Sequence, residues 1–210
     1  MPLMRLLLAF VFAISMPIHL ANGAERKATT VDIKWSFTTP WQFMVSKDMY
    51  LNLSTRAFEN VTCIQAKAVE RDEGAQTFKH NILVKLAQGD KRTWWNSSAS
   101  YSPVHQDEFR VVKTFTSVDS ESGDATNYTF IHTIQDCAIV NKTKTKKEGF
   151  YDSCELWVNN RFFKRDASNI QFCRKQYCKV CDCDSATRYN IEECNRPKYS
   201  TTKQHTMVHQ

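Results

Sequence analysis

The chain has 210 residues, 42% hydrophobic and 24% charged, with a formal charge of +6 and eight cysteines. This is ordinary globular composition for one domain or two small ones, and it excludes collagen-like, low-complexity and fully disordered classes. The cysteines point to an oxidising compartment, and a positive charge spread without long blocks does not by itself imply nucleic acid.

Arg5 is the only charge before Glu25. Residues 6–14 are an apolar run, and Ala21-Asn22-Gly23-Ala24 offers small residues for cleavage. Residues 1–23 therefore read as a secretory signal peptide. Nine clean apolar residues do not span a bilayer, so the mature chain is expected to be secreted and free of the membrane. Five N-x-S/T sequons follow, at Asn52, Asn60, Asn96, Asn127 and Asn141. A glycosylated sequon must face solvent, and that constraint helps to orient strands.

Residues 24–46 contain Trp35, Phe37, Pro40 and Trp41 and read as a short irregular or helical plug. Strands are predicted at 47–55, 61–70, 78–86, 92–101, 108–116, 126–134, 136–141 and 153–159. Residues 78–86 alternate, with Phe78, His80, Ile82, Val84 and Leu86 on one face. In 108–116 the shared face carries Phe109, Val111, Lys113 and Phe115. In 126–134 Tyr128, Phe130, His132 and Ile134 oppose Asn127. A glycan on Asn127 turns the aromatic face inward. One on Asn52 turns Met49, Leu51 and Leu53 inward. Gly74, Gly89, Gly123 and Gly149 fall between predicted strands, beside Asp or Glu, as hairpin turns require. Eight strands with short turns over residues 47–160 predict an antiparallel up-and-down barrel, since closure removes exposed edges. Residues 161–210 hold a helix over 166–180, with Ile170, Cys173, Tyr177 and Val180 at helical spacing and Asp166 or Ser168 as N-cap. A cysteine-bearing tail follows, and its last ten residues are expected to fray. The fold class is all-β with a C-terminal helix.

The sequence has no G-x-S-x-G, H-E-x-x-H, P-loop or G-x-G-x-x-G, so neither an enzyme nor a cofactor is expected. Cys178-x-x-Cys181-x-Cys183 resembles a metal or redox motif. The signal peptide favours structural disulfides over both. Lys142, Lys144, Lys146 and Lys147 read as a solvated hairpin tip rather than an anion-binding loop. No basic stretch alternates with aromatics as a single-strand nucleic-acid platform would. In residues 154–158, alternation puts Glu155 and Trp157 on one face and Cys154, Leu156 and Val158 on the other. Two arrangements are open. Either Glu155 faces solvent, or it is an inward carboxylate that needs a cation or hydrogen-bond donors, such as a cationic ligand among aromatic faces.

Several segments resemble the tick salivary lipocalins of the histamine-binding protein family. They are Asn60-Val61-Thr62-Cys63, Asp136-Cys137-Ala138-Ile139-Val140 and Tyr151-Asp152-Ser153-Cys154-Glu155-Leu156-Trp157-Val158, with Cys173, Cys178 and Cys194. The resemblance runs from about Asp48 to Asn195. It implies an eight-stranded lipocalin barrel, secreted and monomeric, that sequesters a small host inflammatory mediator without chemistry. It also implies disulfides Cys63–Cys194, Cys137–Cys173 and Cys154–Cys178, leaving Cys181 and Cys183 unexplained. They would pair between chains or replace Cys178. By the same resemblance Glu155 is the counter-ion of a biogenic amine such as histamine. Phe109, Tyr128, Phe130 and Trp157 are its walls, with His132 beside them. The family's second acid is missing, since Ser54-Thr55-Arg56-Ala57 stands in its place. An acidic lipid mediator is the alternative ligand, with Lys113 as its inward cation unless that side chain snorkels outward at the rim. A third reading makes the barrel a scaffold that engages a host complement or clotting factor, with Trp35 and Trp41 filling its interior.

Overall fold

The structure is a computed structural model that describes residues 38–46, 48–104, 111–146, 149–164 and 167–194. The expected signal peptide over residues 1–23, Trp35, Phe37, Phe109 and the last ten residues lie outside the described residues. So does Asp166.

Helix α1 (Pro40–Met44) is set by its first residues. The Thr39 hydroxyl accepts from the Gln42 amide at 3.2 Å, and Gln42 Oε1 accepts from the Thr39 amide at 3.0 Å. Pro40 stands at the first helical position, where no amide hydrogen is needed. The chain then runs through β1 (Asp48–Ser54), β2 (Val61–Asp72), β3 (Thr77–Gln88), β4 (Lys91–Val104), β5 (Thr114–Asp119), β6 (Ala125–Thr133), β7 (Cys137–Lys146) and β8 (Gly149–Asn159). Each strand pairs antiparallel with the next. Strand β1 closes the ring, pairing with β8 over Met49–Ser54 and with β2 over Asp48–Tyr50. The result is a closed eight-stranded antiparallel barrel with helix α2 (Ala167–Val180) near the C-terminus. A two-residue strand, β9 (Thr187–Arg188), adds to the end of β1. Gly89 and Gly123 turn two of the hairpins at φ of 58° and 69°, a conformation glycine adopts without a Cβ clash.

Two apolar clusters follow from strand alternation. Phe43, Met49, Phe78, Tyr101, Phe115, Tyr128 and Phe130 face the barrel interior. Ile139, Leu156 and Val158 point outward and pack under α2 with Cys173 and Tyr177. Full burial of such a side chain stabilises by about 1.5–3 kcal/mol.

Several expectations are corrected. Residues 111–113 are not strand, and β5 begins at Thr114 rather than 108. Ser168 lies inside α2 instead of capping it. Bonds Cys63–Cys194 and Cys137–Cys173 form as expected. Cys154 pairs with Cys181 rather than Cys178, and Cys178 pairs with Cys183. The last turn of α2 brings Cys181 to β8, and the short loop after it folds Cys183 back onto Cys178.

Candidate ligand-binding site

The barrel encloses a cavity of about 120 Å³, walled mostly by apolar and aromatic side chains. Alternation along β8 brings Ser153, Glu155 and Trp157 to its inner face, while Cys154, Leu156 and Val158 turn to the helix. Glu155 is fully buried. An isolated carboxylate there would be very costly. Three groups satisfy it. The Trp157 indole N–H donates to Oε2 at 2.8 Å, the Ser153 hydroxyl donates to Oε1 at 3.2 Å, and the Lys142 ammonium sits 3.3 Å from Oε1.

Lys142 is the cation that sequence reasoning missed. It lies on β7 directly opposite Tyr128 on β6 and Ser153 on β8. Its Nζ stands 5.4 Å from the Phe58 ring and 5.5 Å from the Tyr128 ring. Desolvation alone would lower its pKa. The Glu155 carboxylate outweighs that and raises it, so the ammonium stays charged. The side chain retains 14% exposure, and its long stem keeps a route to solvent. A signal for this was present. Asn141 outward requires Lys142 inward, on the face of Ala138 and Val140. Lys144 leaves the run differently, pairing with Asp124 at 2.8 Å.

Tyr101 and Tyr128 continue the lining from Lys142, with ring centroids 5.6 Å apart and their hydroxyls hydrogen-bonded to each other. Burial pushes both phenols well up, so both remain neutral donors. His80 completes the lining. Its Nε2 lies 2.9 Å from the Met44 carbonyl, while Nδ1 is buried with no partner. Burial depresses this imidazole to about 4. Sequence alternation had put His80 on the face of Phe78 and Ile82 without assigning it a role.

The other predicted site residues divide. Glu155, Trp157, Tyr128 and Phe130 line the cavity together. Lys113 does not, since its side chain is exposed, and it is not an inward cation. His132 is also misplaced. A bulge between Phe130 and His132 shifts the register by one residue and turns the imidazole outward, against Phe172 of α2 at 6.0 Å. Arg56 lies over the Tyr151 ring at 4.0 Å and outside the cavity, and Ser54 is buried with its hydroxyl accepting from the Arg56 amide. Among the sequons, Asn60, Asn96, Asn127 and Asn141 are exposed. Asn52 is 2% exposed, which leaves no room for a glycan. A bulge between Leu51 and Leu53 and the overlying tail at Tyr189 put it there. Met49 and Leu51 still point into the cavity, but Leu53 faces the helix cluster.

Among the described residues no cluster of His, Cys, Asp and Glu is arranged to hold a metal ion. All eight cysteines are in disulfides. No described helix is long and apolar enough to cross a membrane.

The barrel is similar to that of Japanin from Rhipicephalus appendiculatus, solved bound to cholesterol. The TM-score is 0.53 at 11% identity, covering 73% of this chain and 98% of that one. It is also similar to apocrustacyanin C2, with a TM-score of 0.50 at 11% identity over 73% of this chain and 81% of that one. At such identities the likeness speaks to the lipocalin fold. No curated protein matches the sequence. The family model described as tick histamine binding protein matches residues 32–196, a span that holds the whole barrel, the Glu155 cavity and helix α2, and the chain belongs to that family.

Proposed function

We propose that the protein is a secreted scavenger that binds a small amine, histamine above all, in the barrel cavity and lowers its free concentration at a tick feeding site. The observation that carries this is Glu155, a fully buried carboxylate in an aromatic cavity of about 120 Å³. An apolar cavity of about 150 Å³ takes benzene, whereas drug-sized ligands occupy about 300–1,000 Å³. The volume therefore suits a single-ring amine better than a long-chain lipid. The four disulfides and the leader-like N-terminus fit an extracellular setting.

The missing second acid does not defeat the reading, because binding is an exchange of cations. An incoming ammonium takes the place of Lys142 at Glu155 Oε1. Lys142 returns to water along the route its partial exposure leaves open. The buried carboxylate keeps one cation throughout, so the electrostatic cost nearly cancels. Burial of the ligand ring among Tyr101, Tyr128, Phe130 and Trp157 then supplies the net gain.

Calorimetric titration of the purified secreted protein with histamine tests this. Glu155→Gln should weaken binding by tenfold or more. Lys142→Met, which removes the competing cation, should tighten it. Unchanged affinity in Glu155→Gln would sink the amine reading.

A second reading rests on the same lysine. Lys142 supplies the inward cation that an acidic lipid would need. Under that reading Lys142→Met abolishes fatty-acid binding instead of tightening amine binding. The open interior counts against a purely scaffolding role. Trp41 packs against the core without filling the cavity.

A further inference from the structure

Glu155 and Lys142 stand at the end of the cavity beside Phe58, which follows β1. His80 stands at the end beside Met44, which precedes β1. It is fully buried and lines the cavity. A backbone carbonyl can only accept, so the Met44 contact fixes the imidazole proton on Nε2. Nδ1 is then a bare lone pair, and it has no partner. Buried polar atoms without partners are rare, and each calls for an explanation. Protonation does not relieve this one, because burial holds the imidazole in its neutral form at physiological pH.

The rings packed on His80 are Phe78 at 4.9 Å and Tyr101 at 4.7 Å. Neither satisfies Nδ1, since the Tyr101 hydroxyl is engaged with Tyr128. Tyr101 and Tyr128 in turn connect His80 to Lys142 and Glu155, with centroids 5.6 Å apart and Lys142 Nζ 5.5 Å from the second ring. The cavity is thus lined by the Glu155–Lys142 ion pair toward one end, by His80 with its unpartnered Nδ1 toward the other, and by aromatic surface between.

We propose that His80 Nδ1 accepts a hydrogen bond from a ring N–H of the ligand, whose ammonium lies at Glu155. His80 is thereby the residue that selects the ring of the amine. The assignment rests on the amine reading of Glu155. A ring without N–H, as in 2-phenylethylamine, leaves Nδ1 stranded, and such sites discriminate strongly against ligands that cannot complete the bond.

The test uses protein labelled with ¹⁵N at histidine, titrated with histamine and with 2-phenylethylamine. Histamine should move the His80 Nδ1 resonance upfield, as acceptance of a hydrogen bond does, and 2-phenylethylamine should not. In parallel calorimetry, the preference for histamine should fall about tenfold in His80→Phe. His80→Gln, which keeps an amide N–H for Met44 and an oxygen for the ligand, should restore it. If His80→Phe does not fold, the wild-type spectra decide. Histamine that binds without moving the Nδ1 resonance overturns the His80 assignment and leaves Glu155 standing. Binding of neither amine removes both.

Discussion

A neutral imidazole sealed inside the barrel makes stability depend on acid. His80 titrates at about 4 in the fold, against 6.5 for an exposed histidine. The unfolded chain therefore takes up this proton first as pH falls. The stabilisation is complete above pH 6.5 and is lost progressively down to about 4, amounting to about 3 kcal/mol. Chemical denaturation of wild type and His80→Gln across that window should show the wild type losing more stability. Parallel curves would mean that the site admits water and protons freely. His80 and Lys142 were both within reach of the sequence, each for its own reason. Alternation put His80 beside Phe78 and Ile82, but periodicity does not tell a satisfied core histidine from one with an empty lone pair. Lys142 was hidden in a basic run whose composition suggested solvent, although the Asn141 sequon turned it inward. Glu155 was legible as a face, and only the fold decided which side that face took.

At the scale of elements, the strands were legible and their irregularities were not. A hydrophobic pattern of period two marks a strand, but one inserted residue reverses every side chain beyond it. That happens after Phe130, which sends His132 to the helix, and after Leu51, which separates Leu53 from Met49. Helix α2 covers the outer face of β7 and β8, on the far side of the sheet from the ligand cavity. It is held by Cys137–Cys173 and by the Tyr177 hydroxyl, which donates to the Cys154 carbonyl at 3.0 Å. Closing a loop of 36 residues contributes up to about 4 kcal/mol. Replacing Cys137 and Cys173 together by serine should therefore lower Tm by several degrees while histamine affinity stays within about twofold. Tyr177→Phe should cost only about 1 kcal/mol. A large loss of affinity in either variant would show that the helix shapes the interior, contrary to its outward packing. The pairing of Cys178, Cys181 and Cys183 lay beyond the sequence, because three cysteines within six residues offer Cys154 more than one partner at similar separation.

Among the described residues, the segments that flank the barrel strands pack against the barrel toward opposite ends of β1. Helix α1 inserts Phe43 and Met44 at one end. At the other, the C-terminal segment crosses β1 and reaches β2, where Cys194 bonds Cys63 and Glu193 pairs with Lys85 at 2.9 Å. On its way Tyr189 is buried beneath the segment that joins β1 to β2. Its hydroxyl accepts from the Phe58 amide at 2.9 Å and donates to the Arg56 carbonyl at 3.3 Å, with the Phe58 ring 6.0 Å away. Phe58 lines the ligand cavity, so the tail fixes part of the cavity wall without touching a ligand. The Cys63–Cys194 bond spans 131 residues and restricts the unfolded chain by at most about 5 kcal/mol. A second effect, on the rate of ligand release, is expected. Releasing the tail frees the Phe58 segment, and a wall that opens more often lets ligand leave faster. Tyr189→Phe isolates this effect, because it removes two hydrogen bonds and keeps both the ring and the disulfide. It should raise the histamine dissociation rate severalfold with a modest loss of stability, about 1–2 kcal/mol. Stopped-flow displacement of bound histamine reads that rate directly. If Tyr189→Phe and the Cys63→Ser, Cys194→Ser double variant both keep the wild-type rate, ligand leaves by another route and the tail is a stabilising strap alone.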